Sequence, residues 1–321
     1  MWGQNSVSAG APENLFAGDP DPFQKRSHPF DPGPLLFVRF GKHIEGDQNP
    51  PGSLQKEDLP GVVLHFAWIG DLIVDPGKPF FAIIQTATNH RPYSIPDNVT
   101  SFKVDHLSKE KVNHAGFKSV DQYNAMRLLD HTIGEYFSYA KKSKYFSNTV
   151  FFLFGDHGTS DPWAKHMPQS DYELLLRSYH VPFIIYGPGI IKGGIMRNDI
   201  AMLPDLIPTA AGFAGISYYN QTLGRDLMSI ADNQEGLALT VGKKHARPTI
   251  GVFGSHYYLT MYHDGKDIRL YDLNITGSPE DIHREQSEIT SKYSRLVQGL
   301  YETSKYMLYH NSQLLDPVNS K

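Results

Sequence analysis

Two short stretches carry side chains that could do chemistry. In the first, Phe151-Phe152-Leu153-Phe154 runs straight into Gly155-Asp156-His157-Gly158. A carboxylate and an imidazole are good ligands for a hard or borderline divalent cation. The flanking glycines let the backbone turn tightly and approach a ligand closely. The second stretch, Gln85 to Tyr93, sets an amide, an imidazole and a guanidinium side by side at Asn89, His90 and Arg91. Asn89 and His90 can donate hydrogen bonds to an oxyanion, and Arg91 can clamp one through two parallel N–H groups. Simpler alternatives stand beside both: Asp156-His157 as a turn that caps the strand, and Arg91 as a solvated loop cation. His166, in the loop from Thr159 to Gln169, is a third candidate, because loops beyond catalytic strands often carry functional side chains. His180, just before Val181-Pro182-Phe183, reads as a hydrogen-bonded structural histidine. The other histidines do not cluster at metal-ligand spacings, and neither a phosphate-cradling GxxxxGK[ST] loop nor a GxSxG elbow is present.

Both stretches follow apolar runs, which is what gives them meaning. Phe80 to Ile84, Thr149 to Phe154 and Val181 to Tyr186 are short continuous apolar segments of the kind found in buried parallel strands. In open α/β sheets, ligands bind beyond the carboxyl ends of such strands. Between them, Met126, Leu129, Ile133, Phe137 and Ala140 recur at three- and four-residue steps and predict an amphipathic helix from about 121 to 142. Lys141, Lys142 and Lys144 suit the negative end of its dipole. Pro204 to Gly215 reads as a short helix. Strands alternating with helices predict an α/β fold with a mostly parallel sheet covered on both faces, a three-layer αβα arrangement.

The two ends of the chain differ from this middle. Residues 1–58 are punctuated by Pro and Gly and read as an irregular leader, with Leu35 to Val38 a short strand. From about 236 to 321 a small antiparallel sheet and a closing helix are expected. Its strands are Ile250 to Phe253, Tyr257 to Tyr262 and Ile268 to Leu273, with a hairpin turn at His263-Asp264-Gly265. Pro279 to Met307 supplies the helix, with Ile289, Tyr293, Leu296 and Leu300 on one face. Residues 59–235 form the α/β unit between them.

Composition removes several function classes. The chain has 321 residues, 30 basic against 34 acidic, and a formal net charge of -4, so no broad cationic field favours nucleic acid. The absence of cysteine excludes disulfides, thiolate metal sites and a cysteine nucleophile. No apolar run approaches the roughly 18–20 residues of a membrane span, and the chain reads as soluble.

Taken in order, these segments resemble the carboxyl-terminal two thirds of the catalytic domain of the sulfatase and alkaline-phosphatase superfamily. The similarity is greatest to its phosphoglycerol-transferase branch, the lipoteichoic-acid-synthase-like proteins. It runs from Lys78-Pro79-Phe80 through Thr88-Asn89-His90-Arg91-Pro92-Tyr93 and Gly155-Asp156-His157-Gly158 to His180-Val181-Pro182-Phe183. Asp205-Leu206-Ile207-Pro208-Thr209, Gly224-Arg225-Asp226-Leu227 and Leu270-Tyr271-Asp272-Leu273 follow. The resemblance implies one divalent metal (manganese, magnesium, zinc or calcium) held by Asp156 and His157. It implies that His90 contacts the substrate's phosphate or sulfate, with Asn89 and Arg91 beside it, and that His166 reaches the same pocket. The implied partner is a phosphate or sulfate ester, such as a lipid headgroup, and the implied setting is the bacterial cell envelope.

The family's nucleophile is where this sequence departs. Residues 1–85 contain no threonine and the chain no cysteine, so neither the transferase's Thr nor a cysteine-derived formylglycine is available. The N-terminal strand that ends in a metal-binding acid is not found either. Two readings therefore stand: a metal-dependent hydrolase or phosphoglycerol-type transferase, and a truncated, non-catalytic domain that binds an anion or a partner.

Overall fold

A computed structural model describes residues 35–39, 79–86, 89–96, 99–159, 167–191, 193–230, 235–244 and 247–314. In chain order the elements are β1 (Leu35–Arg39), β2 (Phe81–Gln85), α1 (Lys109–His114), α2 (Val120–Ala140), β3 (Phe151–Phe154), α3 (Gln169–Glu173), α4 (Leu176–Tyr179), β4 (Phe183–Tyr186) and α5 (Leu206–Ala214). Then follow β5 (Ala238–Lys244), β6 (Arg247–Phe253), β7 (Tyr257–Tyr262), β8 (Arg269–Asp272) and α6 (Ser287–Leu314). No helix among the described residues is long and apolar enough to cross a membrane.

The α/β half is organised around β3 and β4. Alternation along the strands sends Phe151 and Tyr186 to one face and Phe152 and Phe183 to the other. Helix α2 covers the first face, where the Phe137 ring lies 5.2 Å from Phe151 and 5.5 Å from Tyr186. Helix α5 covers the second, where Phe213 meets Phe152 edge-on at 6.0 Å. Helices on both faces of a strand pair meet the layered expectation locally, but the strand directions differ from it. The β1–β2 pair is parallel, whereas β3 and β4 are antiparallel, with Phe151 opposite Tyr186 and Phe154 opposite Phe183. The connection between them, residues 155–182, is long enough for a parallel crossover, but after the short helices α3 and α4 the chain re-enters at the end where β3 left off, with Phe183 opposite Phe154.

Helix α2 begins where Ser119 caps it, its hydroxyl accepting from the Gln122 N–H at 3.1 Å. The face it buries matches the predicted stripe only in part: Ala140 is buried and Phe137 packs on β3 and β4, but the stripe is shifted elsewhere. Ala125, Leu128, Thr132 and Ala140 are buried, while Met126 is 43% exposed. Polar residues redirect the helix. Buried Asn124 donates to the Asp105 carbonyl and accepts from the Asp105 N–H, and the Thr132 hydroxyl donates to the Leu128 carbonyl. These bonds allow polar side chains to be buried at positions that an apolar count assigns to solvent.

Helix α5 is anchored at its start by the fully buried Asp205. The Asp205 carboxylate accepts from the Met202 N–H at 2.9 Å, the Arg225 N–H at 2.7 Å and the Arg225 guanidinium at 3.2 Å. One turn on, the buried Thr209 hydroxyl donates to the Asp205 carbonyl and accepts from the Leu227 N–H. The helix stops at Gly215, whose φ of 67° suits a residue without a β-carbon.

The carboxyl-terminal sheet has strand order β5-β6-β7-β8 and is antiparallel throughout. Ile250, Val252, Leu259, Met261 and Leu270 line one face and pack with Tyr293, Leu296, Val297 and Leu300 of α6. Burying side chains of this size stabilises by about 1.5–3 kcal/mol each. Gly265, with φ of 80°, forms the β7–β8 turn where the sequence places it. The helix starts later than expected because residues 281–282 are already engaged. The Ile282 N–H donates to the Leu270 carbonyl, and the Asp281 carboxylate accepts from the Leu270 N–H. Only beyond that clamp on β8 can helical bonding begin.

Candidate metal and anion site

Strand β3 delivers Asp156 and His157 to its carboxyl end, as the sequence predicts. The ladder extends one residue further, because the Gly155 N–H donates to the Pro182 carbonyl at 3.2 Å. The chain then turns. Asp156 Oδ1 accepts from the His157 N–H at 2.9 Å, so one carboxylate oxygen does shape the turn. The other oxygen, Oδ2, stands 3.8 Å from His157 Nε2.

The imidazole is held in one orientation. His157 Nδ1 lies 2.8 Å from the Gly158 carbonyl oxygen. A carbonyl only accepts, so Nδ1 carries the proton and Nε2 keeps its lone pair, the arrangement in which a histidine ligates a metal. Two ligands about 2.0–2.2 Å from a cation stand roughly 3.0–3.5 Å apart. The observed 3.8 Å between Oδ2 and Nε2 is close to that spacing. The side chains are 73% and 72% exposed, which leaves room for further ligands. A polar contact this exposed adds little to folding, so stability does not account for it. These two residues thus fit as part of a divalent-cation site. Among the described residues no group of three or more His, Asp or Glu side chains is placed to hold a metal.

The glycine after the pair is required by what it touches. The Gly158 N–H donates to the Ser178 carbonyl at 3.0 Å. A β-carbon at Gly158 would overlap the carbonyl oxygen of Arg177. The turn therefore lies flat against α4.

The second predicted stretch sits beyond the end of β2. The Tyr93 N–H donates to the His90 carbonyl at 3.0 Å and closes a tight turn, with Tyr93 at φ of 62°. His90 repeats the geometry of His157. Its Nδ1 lies 2.8 Å from the Arg91 carbonyl, so the proton is there and Nε2 faces outward. Asn89, His90 and Arg91 are all exposed. No hydrogen bond or ion pair joins this turn to Asp156 or His157 among the described residues. His166 lies outside the described residues. His180 is exposed, and its backbone N–H donates to the Leu176 carbonyl.

What the sequence reading missed is the support beneath the Asp-His turn. Tyr179, at the end of α4, packs its ring against Phe253 at 5.9 Å and Tyr258 at 6.5 Å. No sequence signal pointed to it, since the contact joins segments more than 70 residues apart.

Residues 66–216 match the sulfatase family. Over 165 residues, 49% of this chain, the sequence is 31% identical to the lipoteichoic acid synthase of Staphylococcus aureus strain USA300. That stretch spans 24% of the relative's length. Two solved structures share the fold. Lipoteichoic acid synthase LtaP from Listeria monocytogenes superposes with a TM-score of 0.51 at 16% identity, covering 72% of this chain and 54% of that one. Ps i-CgsB, solved with k-i-k-neocarrahexaose, gives 0.57 at 13% identity, covering 80% of this chain and 59% of that one.

Proposed function

Residues 66–216 are a partial sulfatase domain of the sulfatase/alkaline-phosphatase superfamily, and from that premise we propose that the chain handles a phosphate or sulfate ester at a divalent metal. The observation that carries this reading is the Asp156-His157 turn, with Oδ2 and the unprotonated Nε2 presented together to solvent. Asp156 and His157 would hold the cation. A bound cation of this kind neutralises the non-bridging oxygens of the ester and lowers the pKa of an attacking oxygen.

The second turn supplies the anion contacts. His90 presents Nε2 outward and, when protonated there, donates to an ester oxygen or to the departing group. Asn89 offers an amide N–H, and Arg91 a bidentate clamp. His166 is proposed as a second imidazole of the same pocket. Similarity to lipoteichoic acid synthase favours a glycerol-phosphate diester over a sulfate, with a lipid headgroup as its natural form. We further propose that β2 and β3–β4 belong to one mostly parallel sheet of a three-layer domain spanning about 59–235, with 236–321 as the smaller antiparallel unit.

Isothermal calorimetry with manganese tests the site. The wild-type chain is expected to bind one ion, and the Asp156→Ala/His157→Ala variant to lose that binding; equal binding by both refutes the assignment. Hydrolysis of p-nitrophenyl phosphate, a p-nitrophenyl phosphodiester and p-nitrophenyl sulfate then tests catalysis. Turnover is expected to fall by about 10²–10⁴ on His90→Ala. A second reading is a domain that binds an anion without turning it over, for which the exposed Asn89-His90-Arg91 turn would suffice. Metal binding without turnover selects it.

A further inference from the structure

The metal turn is not supported by its own strands alone. Its last residue lies flat on α4 through the Gly158 N–H to Ser178 carbonyl bond. The next residue of α4, Tyr179, leaves the α/β half and packs on the carboxyl-terminal sheet. That sheet uses both faces. One is covered by α6, and the opposite face presents Phe253 and Tyr258, stacked at 3.9 Å and 7°. Tyr179 packs against both rings. Gly242 of β5 keeps the approach open, since a β-carbon there would come within 3.2 Å of the Tyr179 hydroxyl. Gly251 does the same for the Tyr258 ring, at 3.0 Å. Around this contact the two halves are stitched by polar bonds. The Gln169 N–H donates to the Thr276 carbonyl at 3.0 Å, and the Ser278 hydroxyl donates to Glu173 at 3.3 Å.

We propose that the carboxyl-terminal sheet sets the Asp156-His157 turn, with Tyr179 as the positioning residue that links them. The path is short and continuous: Phe253 and Tyr258 fix Tyr179, α4 fixes the Ser178 carbonyl, and that carbonyl fixes Gly158. The His157 ring is in turn oriented by the Gly158 carbonyl. Tyr179 touches no ligand itself. It acts through the backbone: its ring supplies the packing, and the hydrogen bond between its side chain and that of Tyr258 is additional to it. As a statement about metal binding, the proposal rests on Asp156 and His157 being ligands; as a statement about the turn, it does not.

Hydrogen–deuterium exchange on the full chain, read by mass spectrometry, separates these layers. In Tyr179→Ala, amide exchange in a peptide covering 155–159 is expected to rise about tenfold or more, because the Gly158 N–H loses its fixed acceptor. Peptides from α6 around 293–300 are expected to keep wild-type protection, and Tyr179→Phe to behave as wild type throughout. Phe253→Leu trims the same contact from the sheet side and is expected to repeat the Tyr179→Ala pattern; it also serves should Tyr179→Ala not fold. Manganese calorimetry on the same proteins is expected to show affinity about 10- to 100-fold weaker in Tyr179→Ala and unchanged in Tyr179→Phe. Unchanged exchange at 155–159 in both ring-trimming variants overturns the proposal. So does loss of protection equally in α6, which would mark a merely structural role. If the wild-type chain binds no manganese while the exchange result holds, the metal assignment fails and the link through Tyr179 stands.

Discussion

The two halves of this protein are held together by different means. In the carboxyl-terminal unit, Val252, Leu259, Leu270 and Val297 are completely buried between a four-stranded sheet and α6. Around β3 and β4 the apolar side chains are large but only half covered: Phe154 is 44% and Ile184 55% exposed. Order there comes from polar fixings, namely Asp205 with Arg225, Asn124 with Asp105, and Thr209 with Leu227. The sheet with the dry core provides rigidity, and the half that carries the proposed chemistry draws on it.

The largest effect should come from the dry core. Leu259→Ala is expected to lower unfolding free energy by about 2–5 kcal/mol, read from urea denaturation followed by circular dichroism. In the α/β half the comparable loss should require a polar change. Asp205→Asn keeps an acceptor but removes the charge opposite Arg225, and is expected to cost about 1.5–3 kcal/mol in the same measurement. Trimming the exposed strand should matter least: Ile184→Ala is expected to cost under about 1 kcal/mol. If Ile184→Ala equals Leu259→Ala, the contrast between the halves is wrong.

Acid sharpens the same contrast. Burial pushes the Glu235 carboxyl up, but hydrogen bonds from Tyr293 and Lys292 outweigh it and hold the group below the ordinary carboxylate range. Asp281 behaves alike: burial raises it, and the Leu270 N–H and His283 outweigh that. A carboxyl whose folded value is depressed contributes stability above its unfolded value and loses it as pH falls through the folded one. The carboxyl-terminal unit should therefore weaken below about pH 4.5. Glu235→Gln should flatten that limb of a thermal-melting pH series by lowering stability at neutral pH while leaving the acid end little changed.

Much of the carboxyl-terminal unit was legible because its sequence alternates cleanly. Tyr257–Tyr262 has the predicted bounds, and Tyr293, Leu296 and Leu300 face the core as their spacing implies. Strand β5 was not foreseen, since Ala238-Leu239-Thr240-Val241-Gly242-Lys243-Lys244 mixes a glycine and two lysines into a short apolar run. The buried face of α2 was partly misread because Gln122, Asn124 and Thr132 are buried, and an apolar periodicity ignores them. Strand direction was misread for another reason: β3 and β4 have the composition of parallel strands, and the residue types of a buried strand do not say which way its partner runs. At the site, Asp156 and His157 could be read from the strand that leads into them. The Ser178 carbonyl and the Tyr179 ring could not, because backbone acceptors and contacts between distant segments leave no mark on residue type.

The bond between Asp205 and Arg225 has one further consequence. It joins residues 20 positions apart in a chain that has no cysteine. Unlike a covalent cross-link, this tie opens when the chain unfolds, so it stabilises through its native hydrogen bonds and not by constraining the unfolded chain. A guanidinium–carboxylate tie cannot be reduced, oxidised or reshuffled. This staple therefore holds equally in an oxidising or a reducing environment.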